Sequence, residues 1–508
     1  SYIFTIWVWL IMIYTITSTL PEVHAGRTKA LLRRIALYNN ELNVKQTILT
    51  TNYNPNYDYV YSTFIDKKTL NNDTHIVNIY DWLSNFKLHN FNNVETDNSN
   101  HQLIRIKNYY AIPDYSKNCV RYYDNDTDKY VLYRQYYPNT NIVKFEDYFA
   151  LGVKHKTERW EYNLNGRLHK ITNYSPNVNK KLAEYFYDLE GTVYCRKFYE
   201  DNENNKLKYI YIYKDGVLHN IYKNEKALFK YFFECLFRKG DIVFNDARLL
   251  DRPLLDCKVD IKPILVFHNA HKVDGEVKNS YKYALNNSDK VAKYYLLTHS
   301  QKRDIQEEFN IEDEKFTIIP HFIEKSHKVA KKKDQFVYLG RFNEQKQVPH
   351  IIKSFKKFNE YGFDTKLVLY GGTDDKEKNE IKSLVKEYNL ENYVEIHDFT
   401  NDPGLAFRES LASLLTSKFE GFALTVMESI SENCPTISYD INYGPSEIIV
   451  NGENGYLIKA NDIDAFAKAM IKIKKHPLYN VENKKELSYK SAVNNLDNLL
   501  KEVKKINI

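Results

Sequence analysis

The feature that most limits the possible folds of this sequence is a series of tyrosine-rich segments in the middle of the chain. Each segment is interrupted by a turn that contains a glycine. The segments WEYNLNGRLHKI from Trp160, YFYDLEGTVYCRKFY from Tyr185 and YIYKDGVLHNIY from Tyr211 share this pattern. Aromatic residues at alternate positions with an Asn- or Asp-rich turn between them are typical of antiparallel hairpins. RYYDNDTDKYVLYRQYY, from Arg121, resembles a degenerate fourth copy. We therefore predict an inserted β-meander over residues 100–222.

The aromatic residues of this insertion are expected to be mainly structural. The chain has 43 tyrosines and 27 phenylalanines against 16 glycines, which favours a β-rich part. An exposed aromatic sheet could instead support oligomerisation or hold a long acceptor, so both alternatives stay open.

On either side of the insertion, predicted strands and helices alternate, as in parallel α/β folds. A strand (IYTITS), a loop with one glycine, a helix (KALLRRIALYNN) and a strand (QTILTT) open the chain. A chain of 508 residues is too long for one core. We predict two Rossmann-like α/β domains facing a cleft. The first is divided into residues 12–99 and 223–325, and the second covers residues 326–508 with a terminal helix.

Charge and cysteine content exclude several functional classes. The net charge of +6 suits an anionic ligand or acceptor, or only a solvated lysine surface, and falls short of a nucleic-acid-binding protein. The five cysteines form no CxxC motif or paired spacing, so neither a zinc site nor a disulfide framework is predicted. A reducing cytoplasm fits them best.

Residues 1–11 (SYIFTIWVWLI) are apolar and too short to span a bilayer. They lack the basic region and cleavage site of a signal peptide. We expect Met12 to be the natural start and residues 1–11 to be an extension, with a membrane-touching segment as the alternative.

Two short motifs in the second α/β domain suggest a ligand site. In SKFEGFALTVMES, Glu420 and Glu428 lie on either side of a predicted helix start after Gly421. A helix N-terminus offers free N–H groups and a positive dipole end to phosphate oxygens. In YLGRFNEQK, Arg341 and Lys346 follow a strand end and can clamp a diphosphate from two sides.

The paired motifs resemble the signature of retaining glycosyltransferases of family four, which have the GT-B fold. The similarity covers roughly residues 12–60 and 223–508, and YGPSE within SYDINYGPSEIIVNGENG is similar to a subgroup acting on bacterial cell-surface acceptors. Members of that subgroup also have a β-rich insertion in the first domain. The resemblance implies a UDP-sugar-dependent hexosyltransferase.

The resemblance also implies roles for individual residues. Arg341 and Lys346 would hold the donor diphosphate and stabilise departing UDP. Glu428 would bind the ribose, and Glu420 the transferred sugar. The implied donor-binding residues are Gly26, Gly340, Arg341, Lys346, Phe399, Thr400, Glu420, Gly421, Ala423, Leu424, Thr425 and Glu428. The implied catalytic residues are His271, Glu420, Arg341 and Lys346.

Some of these assignments depart from the family pattern or have alternatives. The family often has two glycines where this chain has Ala25 and Gly26, which makes Gly26 the weaker assignment. FHNAH offers both His268 and His271 as the histidine near the donor sugar, and His271 matches better. For either histidine, a purely structural role is the alternative.

Retaining transfer of this kind is expected to need no metal and no other cofactor, because Arg341, Lys346 and the helix dipole supply positive charge. A glycosidase acid–nucleophile pair is a weaker interpretation of the two glutamates, since such carboxylates flank one bond. A degenerate, non-catalytic acceptor-binding partner is another alternative. Such a protein would be expected to lose the motif residues, and all of them are present here.

The predicted reaction moves a sugar, N-acetylglucosamine in preference to glucose, from UDP to hydroxyls of an anionic, repetitive surface acceptor. Serines of Ser-Asp repeat adhesins are the first expected acceptor. Wall teichoic acid, as poly-ribitol or poly-glycerol phosphate, is the second. We also expect a homo-oligomer formed through the insertion, no nucleic-acid partner, and a cytoplasmic location that includes the inner face of the membrane.

Overall fold

The structure is a computed structural model that describes residues 10–22, 26–88, 105–150, 153–372 and 374–507. The expectation about residues 1–11 therefore lies almost wholly outside the described residues. The chain divides into two compact units, Ser1–His24 with Lys45–Ile261 and Ala25–Val44 with Lys262–Ile508. Within the described ranges, no helix is both long and apolar enough to cross a membrane.

Parallel strands and helices form one part of the first unit. The strands are β1 (Ile13–Thr17), β2 (Thr47–Thr50), β3 (His75–Asn78) and β14 (Ile242–Asn245), paired in the order β14–β1–β2–β3. The helices are α2 (Tyr57–Asp66), α3 (Ile79–Leu83), α4 (Glu225–Leu236) and α5 (Asp251–Leu255). All residues of β1 and β14 are buried, as expected for parallel strands covered on both faces.

The predicted insertion forms one antiparallel sheet of ten strands in sequence order, which confirms the β-meander. The strands are β4 (Tyr109–Asp114), β5 (Cys119–Asp124), β6 (Tyr130–Tyr136), β7 (Val143–Phe149), β8 (Lys156–Tyr162), β9 (Leu168–Tyr174), β10 (Lys181–Tyr187), β11 (Val193–Tyr199), β12 (Leu207–Lys214) and β13 (Val217–Tyr222). Gly166 closes the turn before β9 with φ of 74°, a conformation that glycine adopts without strain.

Buried polar contacts fix the insertion to the parallel part of the same unit. Lys197 on β11 donates from Nζ to the Tyr80 hydroxyl at 2.6 Å. Asn56, just before α2, donates to the Tyr137 hydroxyl at 2.8 Å. These hydrogen bonds join the meander directly to helix α3 and to the start of helix α2 in the same unit.

The second unit contains two sets of parallel strands. The smaller set is β15 (Lys262–Val266), β18 (Lys293–Leu296) and β19 (Phe316–Ile318), with α1 (Arg27–Leu42), α6 (Asn279–Asn286), α7 (His299–Glu308) and a short hairpin of β16 (Lys272–Val273) and β17 (Glu276–Val277). Helix α1 buries Leu31, Ile35 and Tyr38, one face of a 3.6-residue period.

The larger set is the predicted second Rossmann-like domain. Its strands are β20 (Gln335–Leu339), β21 (Lys366–Tyr370), β22 (Val394–His397), β23 (Ala412–Leu415), β24 (Thr436–Asp440) and β25 (Gly455–Lys459), in the order β22–β21–β20–β23–β24–β25. Its helices are α8 (Val348–Asn359), α9 (Asp375–Glu387), α10 (Pro403–Arg408), α11 (Leu424–Ser431), α12 (Pro445–Ile448), α13 (Ile463–Lys475) and the terminal α14 (Tyr489–Lys504). The strand order reverses between β20 and β23, where open α/β sheets bind ligands.

Candidate functional site

Lys346 and Glu420 form a close ion pair beside the carboxyl ends of β20 and β23. Lys346 lies in a 3-10 turn, Glu344–Lys346, whose start is capped by the Asn343 side chain. Its Nζ is 2.6 Å from Glu420 Oε1, and only 19% and 12% of the two side chains are exposed. Ser417 also donates its hydroxyl to Glu420 Oε1, at 2.7 Å. The structure thus brings the two sequence motifs together.

The backbone around Glu420 is held on both sides. The Glu420 amide donates to the Asn442 carbonyl oxygen at 2.8 Å, and the Tyr443 amide donates to the Glu420 carbonyl oxygen at 2.7 Å. Gly421 lies against the carbonyl oxygen of His268, where a methyl group would overlap it. Only glycine allows this close approach between the Glu420 loop and the segment after β15.

Helix α11 begins at Leu424, directly after Ala423 in the left-handed conformation with φ of 72°. An alanine side chain cannot cap the first amides of the helix. The N–H groups at this N-terminus can therefore donate hydrogen bonds to anionic oxygens of a ligand. The glycine, the left-handed residue and the helix start together form a compact loop of the kind predicted from the sequence.

A pocket of about 250 Å³ lies beside this helix start, entirely within the second unit. Five of the predicted residues line it: Gly26, His268, Leu424, Thr425 and Glu428. Lys29 and Arg33, one turn apart on α1, line it as well, together with His321.

Burial changes the acid–base behaviour of the pocket. It raises the pKa of Glu428, and the charges of Lys29 and Arg33 oppose that rise. Burial, with the nearby His268 and Arg33, lowers the pKa of His321 to about 3, so this imidazole is neutral. His321 stacks on His268 with ring centroids 6.4 Å apart and meets Phe422 edge-on at 5.0 Å.

The remaining predicted donor residues lie at the carboxyl ends of β20, β21 and β22. The Arg341 side chain is exposed, and its carbonyl oxygen accepts from the Tyr338 hydroxyl at 2.8 Å. Gly340 packs against Gly371, and the exposed ring of Phe399 covers Gly372. Thr400 follows Phe399 and is half-buried. These residues adjoin one sheet edge but do not line the 250 Å³ pocket.

His271 and His268 have different environments. His271 is fully buried, with Nδ1 3.3 Å from the Gln301 amide and its ring stacked on Tyr443 at 6.2 Å. Burial, followed by the charge of Lys272, lowers the pKa of His271 to about 4. His268, by contrast, lines the pocket. The structure therefore places His268, and not His271, on the pocket wall.

Sequence reasoning did not identify Lys29, Arg33 or His321. A signal for the first two was present, since residues four apart on a helix after Gly26 share one face. His321 had no local signal, because only the fold brings it to His268.

Comparisons with known proteins identify similar glycosyltransferases. The chain matches the family described as Glycosyl transferases group 1 over residues 321–492 and that described as Glycosyl transferase 1 domain A over residues 14–214. It is 27% identical to a poly(glycerol-phosphate) alpha-glucosyltransferase of Bacillus subtilis over 91% of this chain and 70% of the relative.

Two further relatives differ in what their names say they modify. A poly(ribitol-phosphate) alpha-N-acetylglucosaminyltransferase of Staphylococcus aureus is 24% identical over 91% of this chain and 92% of the relative. The GtfA subunit of a UDP-N-acetylglucosamine–peptide N-acetylglucosaminyltransferase of Streptococcus gordonii is 23% identical over 64% of this chain and 68% of the relative. The crystal structure of TarM superposes with a TM-score of 0.78 at 21% identity, covering 97% of this chain and 99% of that one.

Proposed function

The chain belongs to the group 1 glycosyltransferases with the GT-B fold, and from this premise we propose that it transfers a sugar from a UDP donor to hydroxyls of an anionic cell-surface polymer. The observation that supports this most is the contact between the two motifs, Lys346 against Glu420 at 2.6 Å, beside the start of α11. This arrangement offers fixed positive charge next to a carboxylate that can accept sugar hydroxyls.

In the proposed reaction, the bond between the anomeric carbon and the diphosphate oxygen breaks, the acceptor oxygen bonds to that carbon on the same face, and the acceptor hydroxyl proton passes to the departing diphosphate oxygen. The diphosphate keeps the electron pair, and Arg341, Lys346 and the N–H groups at the start of α11 stabilise its charge. We propose that these groups suffice without a metal. Glu428 binds the ribose, and Lys29 and Arg33 add positive charge to the pocket wall.

Poly-glycerol or poly-ribitol phosphate is the acceptor that we propose first. The two relatives whose names specify these polymers align with 91% of this chain, whereas the relative named for a peptide acceptor aligns with 64%. Serines of Ser-Asp repeats, the first acceptor expected from the sequence, are now the second candidate, since they are equally repetitive and negative. We propose UDP-N-acetylglucosamine as the donor, with UDP-glucose as the alternative.

The test uses purified full-length chain with each UDP-sugar and each acceptor, followed by mass spectrometry of the acceptor. We expect one UDP-sugar to add hexose or N-acetylhexosamine masses to the polyol phosphate. Transfer only to the Ser-Asp peptide would reverse the order of acceptors. No transfer from any UDP-sugar to either acceptor would contradict the proposal.

Two further properties belong to the same proposal. We propose a homo-oligomer through the insertion, because its outermost strands β4 and β13 expose Ile112 (50%), Val217 (70%) and Ile221 (46%). We also propose a cytoplasmic location, including the inner face of the membrane, which agrees with five cysteines present as free thiols.

A further inference from the structure

A second, larger pocket lies in the first unit, at the tips of the hairpins β10–β11 and β12–β13. Its volume is about 580 Å³, within the roughly 300 to 1,000 Å³ typical of ligand sites. The end of α3, the segment that follows it and Tyr231 of α4 form its other walls. It shares no lining residue with the pocket beside α11. We call it the insertion pocket.

Aromatic rings on three of its walls are held in fixed positions. Trp82 and Tyr231 are tilted against each other with centroids 5.8 Å apart. Tyr213 accepts a hydrogen bond at its hydroxyl from Arg196, at 3.1 Å. All three residues line the pocket. Fixed aromatic faces of this kind can bind the C–H face of a ligand ring at low entropic cost.

Phe86 is the most unusual residue of the insertion pocket. Its side chain is 56% exposed, and its backbone is left-handed with φ of 61°. For a bulky residue this conformation is strained and persists only where its surroundings impose it. The Phe86 amide donates to the Asp81 carbonyl oxygen at 2.7 Å, and the next carbonyl, of Lys87, accepts from the Leu189 amide at 2.9 Å. The fold thus holds an exposed aromatic ring over the pocket.

The charges of the lining select the kind of ligand. Two lysines, Lys87 and Lys214, face three carboxylates, Asp188, Glu190 and Asp215. Lys87 Nζ is 3.6 Å from Glu190 Oε2, so these charges largely balance each other. A polyanion would meet more negative than positive charge here. A neutral ligand with hydroxyl groups and an apolar ring face matches both the carboxylates and the aromatic rings.

We propose that the insertion pocket binds a neutral saccharide unit, a hexose or N-acetylhexosamine. It stacks on Phe86 and the neighbouring rings, and its hydroxyls donate to carboxylates of the lining. Such a unit has two sources, a sugar already attached to the acceptor or a free saccharide. Binding at this pocket goes beyond the proposed transfer reaction and does not require it.

The test measures binding of methyl α-N-acetylglucosaminide and methyl α-glucoside by saturation-transfer NMR, with excess UDP present. We expect at least one glycoside to bind the wild type and the Tyr115→Ala variant equally. Tyr115 is an exposed aromatic residue (59%) of the insertion outside the pocket. In Phe86→Gly, which also relieves the positive φ, we expect affinity to fall about tenfold or more.

Absence of binding to the wild type, or equal binding by Phe86→Gly, would overturn the proposal. If a glycosylated acceptor displaces the glycoside better than an unglycosylated one, the acceptor is the source. Absence of displacement by either acceptor indicates a free saccharide, whereas equal displacement by both would show that the pocket binds the polymer itself and would overturn the proposal.

Discussion

At the scale of single residues, the Lys346–Glu420 pair combines two functions that the sequence suggested separately. Both side chains are mostly buried, and Glu420 Oε1 accepts from Lys346 and from Ser417 at once. A carboxylate held by two donors keeps its orientation, and it fixes the lysine ammonium in return. Removing either charge therefore disturbs the position of the other as well as its own contacts.

For Lys346→Ala, we expect transfer to fall at least about a hundredfold, because a charge that stabilises the departing diphosphate is lost. The melting temperature should fall only moderately, since Glu420 keeps its bond to Ser417. Initial rates with saturating donor and a thermal melt measure the two effects. Lys418→Ala is the matched control. Lys418 lies two residues before Glu420, but its ammonium pairs with the exposed Glu344 instead. Wild-type rates in Lys346→Ala would contradict the assignment.

His321 gives a prediction about stability and pH. Its folded-state pKa of about 3 lies below the usual 6.5, so only the unfolded chain binds a proton there between these values. The free energy of unfolding is therefore not reduced by His321 above pH 6.5, and it falls as the pH falls below that value because the unfolded chain takes up the proton. The free energy of unfolding changes by up to about 1.4 kcal/mol per pH unit in this range. We expect urea unfolding of His321→Phe to lose less stability between pH 6.5 and 4 than the wild type. The exposed His327→Asn variant should match the wild type, and equal slopes for all three proteins would refute the prediction.

At the scale of elements, the loop between β23 and α11 depends on Gly421. In Gly421→Ala, the added methyl group meets the His268 carbonyl oxygen and, at 3.0 Å, the Asn269 Cα atom. These neighbours are backbone atoms, which cannot move aside as a flexible side chain can. The start of α11 must therefore shift. We expect UDP affinity to fall tenfold or more, measured by isothermal titration calorimetry.

Gly362→Ala is the control for this effect. Gly362 has φ of 85° and open space around it, so its replacement causes only conformational strain, about 1 kcal/mol. It should lower the melting temperature and leave UDP affinity unchanged. If Gly421→Ala binds UDP as well as the wild type, the close contact has no role in the donor site.

Most elements were predictable because their signals are local. The alternating aromatic residues and glycine turns of 100–222 specify hairpins without reference to the rest of the chain, and all ten strands pair in sequence order. The short hairpin of β16 and β17 was not predicted, because its strands have two residues each and give no periodic signal. The motif residues could be identified, but the pocket wall formed by Lys29, Arg33 and His321 depends on long-range packing.

At the scale of the whole molecule, the topology of the insertion leaves open edges on its sheet. Among the described residues this open sheet has ten strands with β4 and β13 outermost, and each of these two exposes apolar side chains. Exposed apolar edge strands favour pairing with another chain unless charges or proline prevent it. Strand β4 contains Pro113, whereas β13 contains no proline and no acidic or basic side chain other than His219, so β13 is the more open edge through which copies of this chain can associate without using the site in the second unit.

We expect light scattering after size exclusion to give the wild type a mass at least twice that of the single chain. Lysine at an edge opposes strand pairing, so Ile112→Lys in β4 combined with Ile221→Lys in β13 should yield the single-chain mass. Tyr361→Lys, at an exposed position (64%) of the second unit, is the control and should keep the wild-type mass. A single-chain mass for the wild type at every concentration, or an unchanged oligomer in the double variant, would show that these strands do not form an interface.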